Sequence, residues 1–166
     1  MNFADYKPEW MEILRKQEEV LRFERFNAED ALAIGLIMIR LAKEKYKKAA
    51  AFRIITGGHI AFSYLMDTTT LNNEWWMDKK LNTCRATGVS SILSLVEVAE
   101  GARPMEPEFE EENDYALCGG CFPIRNAAGK LLGYTLCSGM PHWMDHQLMM
   151  DALCEYLKVE APAIEG

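Results

Sequence analysis

Residues 115–124 read YALCGGCFPI, placing Cys118 and Cys121 in a CxxC spacing with two glycines between them. Further on, His142 and His146 stand four residues apart. As a string, C-x2-C followed by H-x3-H is the ligand count of a structural zinc site. The surroundings argue otherwise. The cysteines open an apolar, strand-like run, in which positions 118 and 121 differ by an odd number and would face opposite sides. A redox CxxC would sit at a helix start, where the dipole lowers a thiol pKa, but Pro123 and an apolar run follow instead. No zincin HExxH, P-loop, dinucleotide fingerprint or Ser-His-Asp arrangement is present. The residues alone specify no reaction and no metal site.

The glycines carry more information than the sulfurs. Gly119 and Gly120 permit backbone angles closed to other residues and a close approach by backbone or ligand. Ser138 and Gly139 end an apolar run just before a helix whose free N–H groups can receive a carboxylate. If the two runs pair, both segments come near one edge of the sheet. The alternative for each pair is a plain turn and cap. His142 and His146 fall on one helix face, beside Asp145, and a buried histidine at a subunit interface is the competing reading for His146. His59 follows the Gly57–Gly58 turn and faces either solvent or a ligand. Trp75 and Trp76 precede Lys79 and Lys80 by four residues each, so an aromatic and a cation share neighbouring helical lines. They suit a flat anionic ligand or an oligomer interface.

The elements that must hold these residues are legible from periodicity. Tyr6 to Val20 reads as a helix, Leu21 to Phe26 as a short strand, and Asn27 with Asp30 as a capping box opening a helix to Tyr46. That helix is apolar nearly all round and needs cover on more than one face. Ala49 to Ile55 and His59 to Met66 flank Gly57–Gly58, a strong hairpin signal. Asn72 or Asn73 can cap a helix closed by Gly88, and Ser90 or Ser91 a second one ending near Gly101. Ala116 to Arg125 and Leu131 to Ser138 form another hairpin, and a helix opened by Pro141 runs through Leu157. This order predicts an α+β fold around a mostly antiparallel five-stranded sheet.

The 166 residues suit one domain over 1–166, with an N-terminal helix in 1–20 and a flexible tail over 158–166. A net charge of −7, with six of the nine residues Glu106 to Asp114 acidic, repels phosphate backbones, so no nucleic-acid partner is expected. The acidic stretch itself reads as an exposed connection. No signal segment and no membrane span are visible, and the five scattered cysteines fit free thiols in a reducing cytoplasm.

GGCFPI (119–124), G-x-x-x-G (129–133), SGMP (138–141), Asp145–His146, TTTLNNEWWMDKK (68–80) and LRFERFNAEDAL (21–32) together resemble the HbpS/GlcG-like, or haem-degrading domain, proteins, and within them a branch of small cytosolic uncharacterised members. The resemblance spans roughly residues 20–157. It implies a profilin-like three-layer α/β/α sandwich and assembly into dimers or higher oligomers. It also makes haem or another tetrapyrrole the candidate ligand, with His146, Asp145, His142, Ser138, Gly139, Gly119, Gly120, Trp76, Lys79, Lys80 and His59 as candidate binding residues. An adaptor working with chaperone components in targeting tail-anchored proteins is the alternative it implies, and enzymatic haem breakdown a third. Cys118 stands where relatives usually carry histidine.

Overall fold

The computed structural model describes residues 2–110 and 114–166. Its helices are α1 (Trp10–Val20), α2 (Ala28–Leu41, continued by a wider π turn through Tyr46), α3 (Leu71–Thr87), α4 (Ser91–Ala99), the single turn α5 (Pro107–Glu110) and α6 (His142–Leu157). Its strands are β1 (Arg22–Phe23), β2 (Ala51–Thr56), β3 (His59–Leu65), β4 (Cys121–Asn126) and β5 (Leu131–Ser138). They form one sheet in the order β1-β4-β5-β2-β3. The β2–β3, β2–β5 and β4–β5 pairings are antiparallel, whereas β1 runs parallel to β4. The sheet is therefore mixed, because β1 and β4 are joined by a long crossover rather than a hairpin.

Alternation along the strands makes the three layers. Phe52, Ile54, Phe122, Ile124 and Cys137 point to one face, where Ile34 and Met38 of α2 and Leu148, Met149 and Leu153 of α6 cover them. Ala51, Ile55, Cys121 and Leu136 point to the other, under Met77, Leu81 and Cys84 of α3. A third cluster joins Trp10 and Leu14 of α1 to Ile92, Leu93 and Val96 of α4. Each buried Leu, Ile, Val, Phe or Met among them contributes about 1.5–3 kcal/mol by leaving water.

Local chemistry sets the boundaries. Asn27 and Asp30 make the expected capping box on α2. On α3 the cap is Thr70, with Asn73 reaching back to its backbone N–H, so Asn73 is the third residue of the helix rather than its cap. Gly57 and Gly58 both have positive φ, as a two-residue β2–β3 turn requires. Strand β4 begins only at Cys121; Ala116 to Gly120, expected as strand, form a loop, since Gly120 sits at φ 132°. Pro141 is the cap of α6 instead of lying in its first turn.

Residues 158–166, expected as a flexible tail, lie as an extended strap. Ile164 is buried beside Trp10 and Leu14, and the carbonyls of Pro162 and Glu165 accept hydrogen bonds from the side chains of Gln17 and Trp10 at 2.8 and 3.2 Å. Of the acidic connection, Phe109 is buried with its ring edge-on to Tyr115, and residues 111–113 lie outside the described residues.

Candidate functional site

The β4–β5 pair brings the two glycine segments together. Gly120 precedes β4 and Ser138 ends β5, and the N–H of Cys137 donates to the carbonyl of Gly120 at 2.9 Å. Because β5 is the central strand, the segments meet at one end of the sheet's middle rather than at its edge. There a cleft of about 280 Å³ opens, lined by Asn72, Asn73, Trp76 and Lys80 of α3, by Cys118, and by Ser138, Gly139, Met140, His142 and Asp145 of the β5–α6 junction.

The glycines are needed for close approach. A Cβ on Gly119 would lie 2.3 Å from the carbonyl oxygen of His142, and one on Gly120 2.3 Å from that of Cys137 and 2.5 Å from Lys80 Nζ. No side chain fits at either position, so the loop can lie flat against α6, β5 and α3.

A buried ion pair forms the floor. Lys80 Nζ donates to Asp145 Oδ2 and to the carbonyl of Cys137, both at 3.1 Å, with the two side chains 4% and 2% exposed. Burial works to lower the Lys80 pKa, but Asp145 and the nearby Cys118 and Cys137 thiols outweigh it, so the ammonium is held above its ordinary value. Asp145 Oδ1 also accepts from the N–H of Met140 at 3.0 Å and from the Cys137 thiol. Of the three donors on an ammonium, two are therefore taken within the protein.

The histidines have separate roles. His142 Nδ1 accepts from the N–H of Gly119 at 3.0 Å, which leaves the proton on Nε2, where it is donated to the carbonyl of Asp5 at 2.8 Å. Burial lowers its pKa, so the ring is neutral with both nitrogens engaged. His146 is fully buried behind the cleft, donating Nε2–H to Gln17 Oε1 at 2.7 Å, while its Nδ1 has no partner among the described residues. His59 opens β3 just after the Gly57–Gly58 turn, at the Gly133 end of β5. Five residues of strand separate that end from Ser138, roughly 17 Å, so His59 does not reach the cleft.

Trp76 stands half-exposed at the rim, and Ser138 Oγ accepts from Asn73 Nδ2 at 3.4 Å. Lys79 is buried and is not among the residues lining the cleft; its Nζ lies 3.6 Å from the ring centre of Trp75 and 4.9 Å from that of Trp76. The two CxxC sulfurs diverge. Cys121 is buried on the sheet face against Cys84, whereas Cys118 is half-buried in the cleft. Asn72, Asn73 and Met140 were not among the expected site residues. The asparagines read as helix-capping chemistry, and nothing in a sequence pattern separates a rim residue from a cap.

An α/β/α sandwich with a polar cleft where its central hairpin meets the last helix is the class of protein these features define. Residues 26–154 match the family model described as haem degrading protein HbpS-like. The chain belongs to the HbpS-like family. It is 31% identical over 147 residues to a UPF0303 protein of Psychromonas ingrahamii, covering 86% of this chain and 89% of that one. It is 30% identical over 152 residues to a UPF0303 protein of Streptomyces avermitilis, covering 91% and 93%. Among solved structures, the Ybr137w protein shares the fold with a TM-score of 0.74 at 21% identity, over 89% of this chain and 87% of that one. A structure described as a PduOC:Heme Complex shares it with a TM-score of 0.66 at 16% identity, over 85% and 99%.

Proposed function

We propose that this chain is a cytosolic, homo-oligomeric protein that binds a flat, anionic small molecule in the cleft, with a tetrapyrrole such as haem as the first candidate. One observation carries this reading: an aromatic rim (Trp76), a buried ammonium (Lys80), a hydroxyl (Ser138) and a thiol (Cys118) converge on one 280 Å³ cleft. That volume lies at the low end for small-molecule sites. It suits the edge of a larger ring, whose remaining face would rest on Trp76 and the exposed Trp75 and Leu71 beside it. Membership of a family described as haem-degrading and the shared fold of a protein solved with haem both support a tetrapyrrole. The reading includes no chemical step. Among the described residues, no helix is long and apolar enough to cross a membrane.

Titration with hemin tests the ligand. A saturable change of the Soret band at micromolar hemin is expected, and Trp76→Ala should weaken binding roughly two- to tenfold, the worth of one aromatic contact at about 0.5–1.5 kcal/mol. No saturable change, or binding indifferent to Trp76, would overturn the reading.

Oligomerisation is supported by apolar side chains that a lone chain leaves in water: Leu32 and Leu36 on α2 (Leu36 57% exposed), and Ile60 and Tyr64 on the edge strand β3. Light scattering at micromolar concentration is expected to give a multiple of the chain mass, and Leu36→Glu to shift it towards the monomer. A wild-type monomer would end this part of the proposal.

A further inference from the structure

Helix α2 is apolar on more sides than its own chain covers. Ala31, Ile34, Met38 and Leu41 are buried in the main core, and on the flank towards α6 Asp30 accepts from Tyr156 while Arg40 pairs with Glu155. The opposite side stays open. Glu29, Leu32, Leu36 and Arg40 are exposed, with Ala33 and Ile37 half-buried at the margin, and steps of three and four residues align them in one stripe along the helix. Its two leucines are 47% and 57% exposed. Edge strand β3 widens the patch. A Cβ on Gly35 would meet the Phe62 ring at 2.5 Å, so β3 lies against α2 there, and Tyr64, two residues on along the strand, projects from the same face and is itself exposed.

We infer that a second copy of this chain covers the stripe, the two α2 helices packing antiparallel about a two-fold axis that passes between Ile34 and Gly35. The inference rests on the homo-oligomer reading above and names its interface.

The order of residues along the stripe selects this occupant. It begins acidic at Glu29, is apolar at Leu32 and Leu36, and ends basic at Arg40. A two-fold contact sets one surface against itself, so that residue i meets j and j meets i. Glu29 and Arg40, Leu32 and Ile37, and Ala33 and Leu36 share one midpoint in the sequence. A single axis there places Glu29 of each copy against Arg40 of the other, and Leu36 of each copy over the small Ala33 of the other. Parallel helices would instead set Glu29 on Glu29 and Arg40 on Arg40. The antiparallel pair also brings the positive end of each helix beside the negative end of its mate. Glu29 to Arg40 spans roughly 16 Å of helix, and a shallow crossing of about 20° keeps both ends within side-chain reach. Arg40 already serves Glu155 and Glu44 of its own chain, and a guanidinium with five N–H donors can take a further carboxylate.

Sedimentation equilibrium of the full chain tests this by charge reversal. Glu29→Arg alone and Arg40→Glu alone should each weaken self-association roughly tenfold or more, because like charges then meet at both symmetric contacts. Far-UV circular dichroism of each variant should match wild type. An equimolar mixture of the two should associate again with near wild-type strength, since every contact in the mixed pair is once more Arg against Glu. That rescue separates an interface from a mere loss of the contact between Arg40 and Glu155 within one chain. A wild-type oligomer whose association is unmoved by either single change, or variants that stay dissociated when mixed, would overturn the α2 pairing and leave oligomerisation through another face standing. A wild-type monomer would overturn both.

Discussion

Asp145→Ala should lower the stability of the protein by about 3–5 kcal/mol, the cost of leaving one member of a buried ion pair without its partner. The cause is local and specific. Lys80 and Asp145 are both almost wholly buried and meet at 3.1 Å, in a position where the ammonium is largely shielded from water. Removing the carboxylate also strips the acceptor from the N–H of Met140, which positions the turn into α6. Chemical denaturation of Asp145→Ala against wild type measures the loss. The double variant Lys80→Met/Asp145→Ala should recover a large part of it, because apolar replacement of a whole buried pair is often neutral. If Asp145→Ala unfolds at the wild-type denaturant midpoint, the pair does not pin the structure. If the double variant is as unstable as the single one, the cost lies in the Met140 contact instead of the stranded charge.

The same pair shows how far the sequence could be read. Alternation in 51–56 and 59–65 and the Gly57–Gly58 turn specify the β2–β3 hairpin locally, and Asn27 with Asp30 marks the start of α2 within four residues. Signals of that range survive in a bare sequence. In the sequence Lys80 and Asp145 stand out separately, one for its place beside the tryptophans and one for its place beside His146. That they bond to each other depends on α3 and α6 approaching the end of β5 from opposite faces of the sheet, a relation between residues 65 positions apart. The strap over 158–166 is hidden from the sequence for a similar reason. Its composition is that of a tail, and what holds it are Gln17 and Trp10, more than 140 residues away in the chain. Cys118 shows a third kind of limit. Counting along a strand separates it correctly from Cys121, but the strand begins later than periodicity suggests, because Gly120 takes a φ that ends regular pairing.

Acidification should destabilise the protein more steeply than ordinary surface groups would, and His146 is the reason. Full burial, helped by the nearby His142, lowers its pKa to about 3, whereas in the unfolded chain a histidine titrates near 6.5. A depressed folded-state pKa means that below pH ~6.5 the unfolded chain binds a proton the folded one refuses. The stability tied to the neutral ring is thus complete above that pH and is lost as pH falls towards 3, at about 1.4 kcal/mol per pH unit, or some 2.7 kcal/mol by pH ~4.5. His142 is lowered by burial and adds to the loss in the same direction. Glu18 works the other way, since burial raises its pKa and its contribution is retained in acid. The geometry explains why His146 cannot simply accept the proton. Gln17 donates its amide to the carbonyl of Pro162 and so presents Oε1 to Nε2–H, while Nδ1 has no hydrogen-bond partner among the described residues to receive a second N–H. Protonation would place an unpaired charge in the interior, next to the ring of Phe122. Denaturation curves between pH 7 and 4.5 should therefore fall steeply for wild type and more gently for His146→Gln, whose amide can still donate to Gln17 but takes up no proton. Equal slopes in the two proteins would show that the acid sensitivity arises elsewhere.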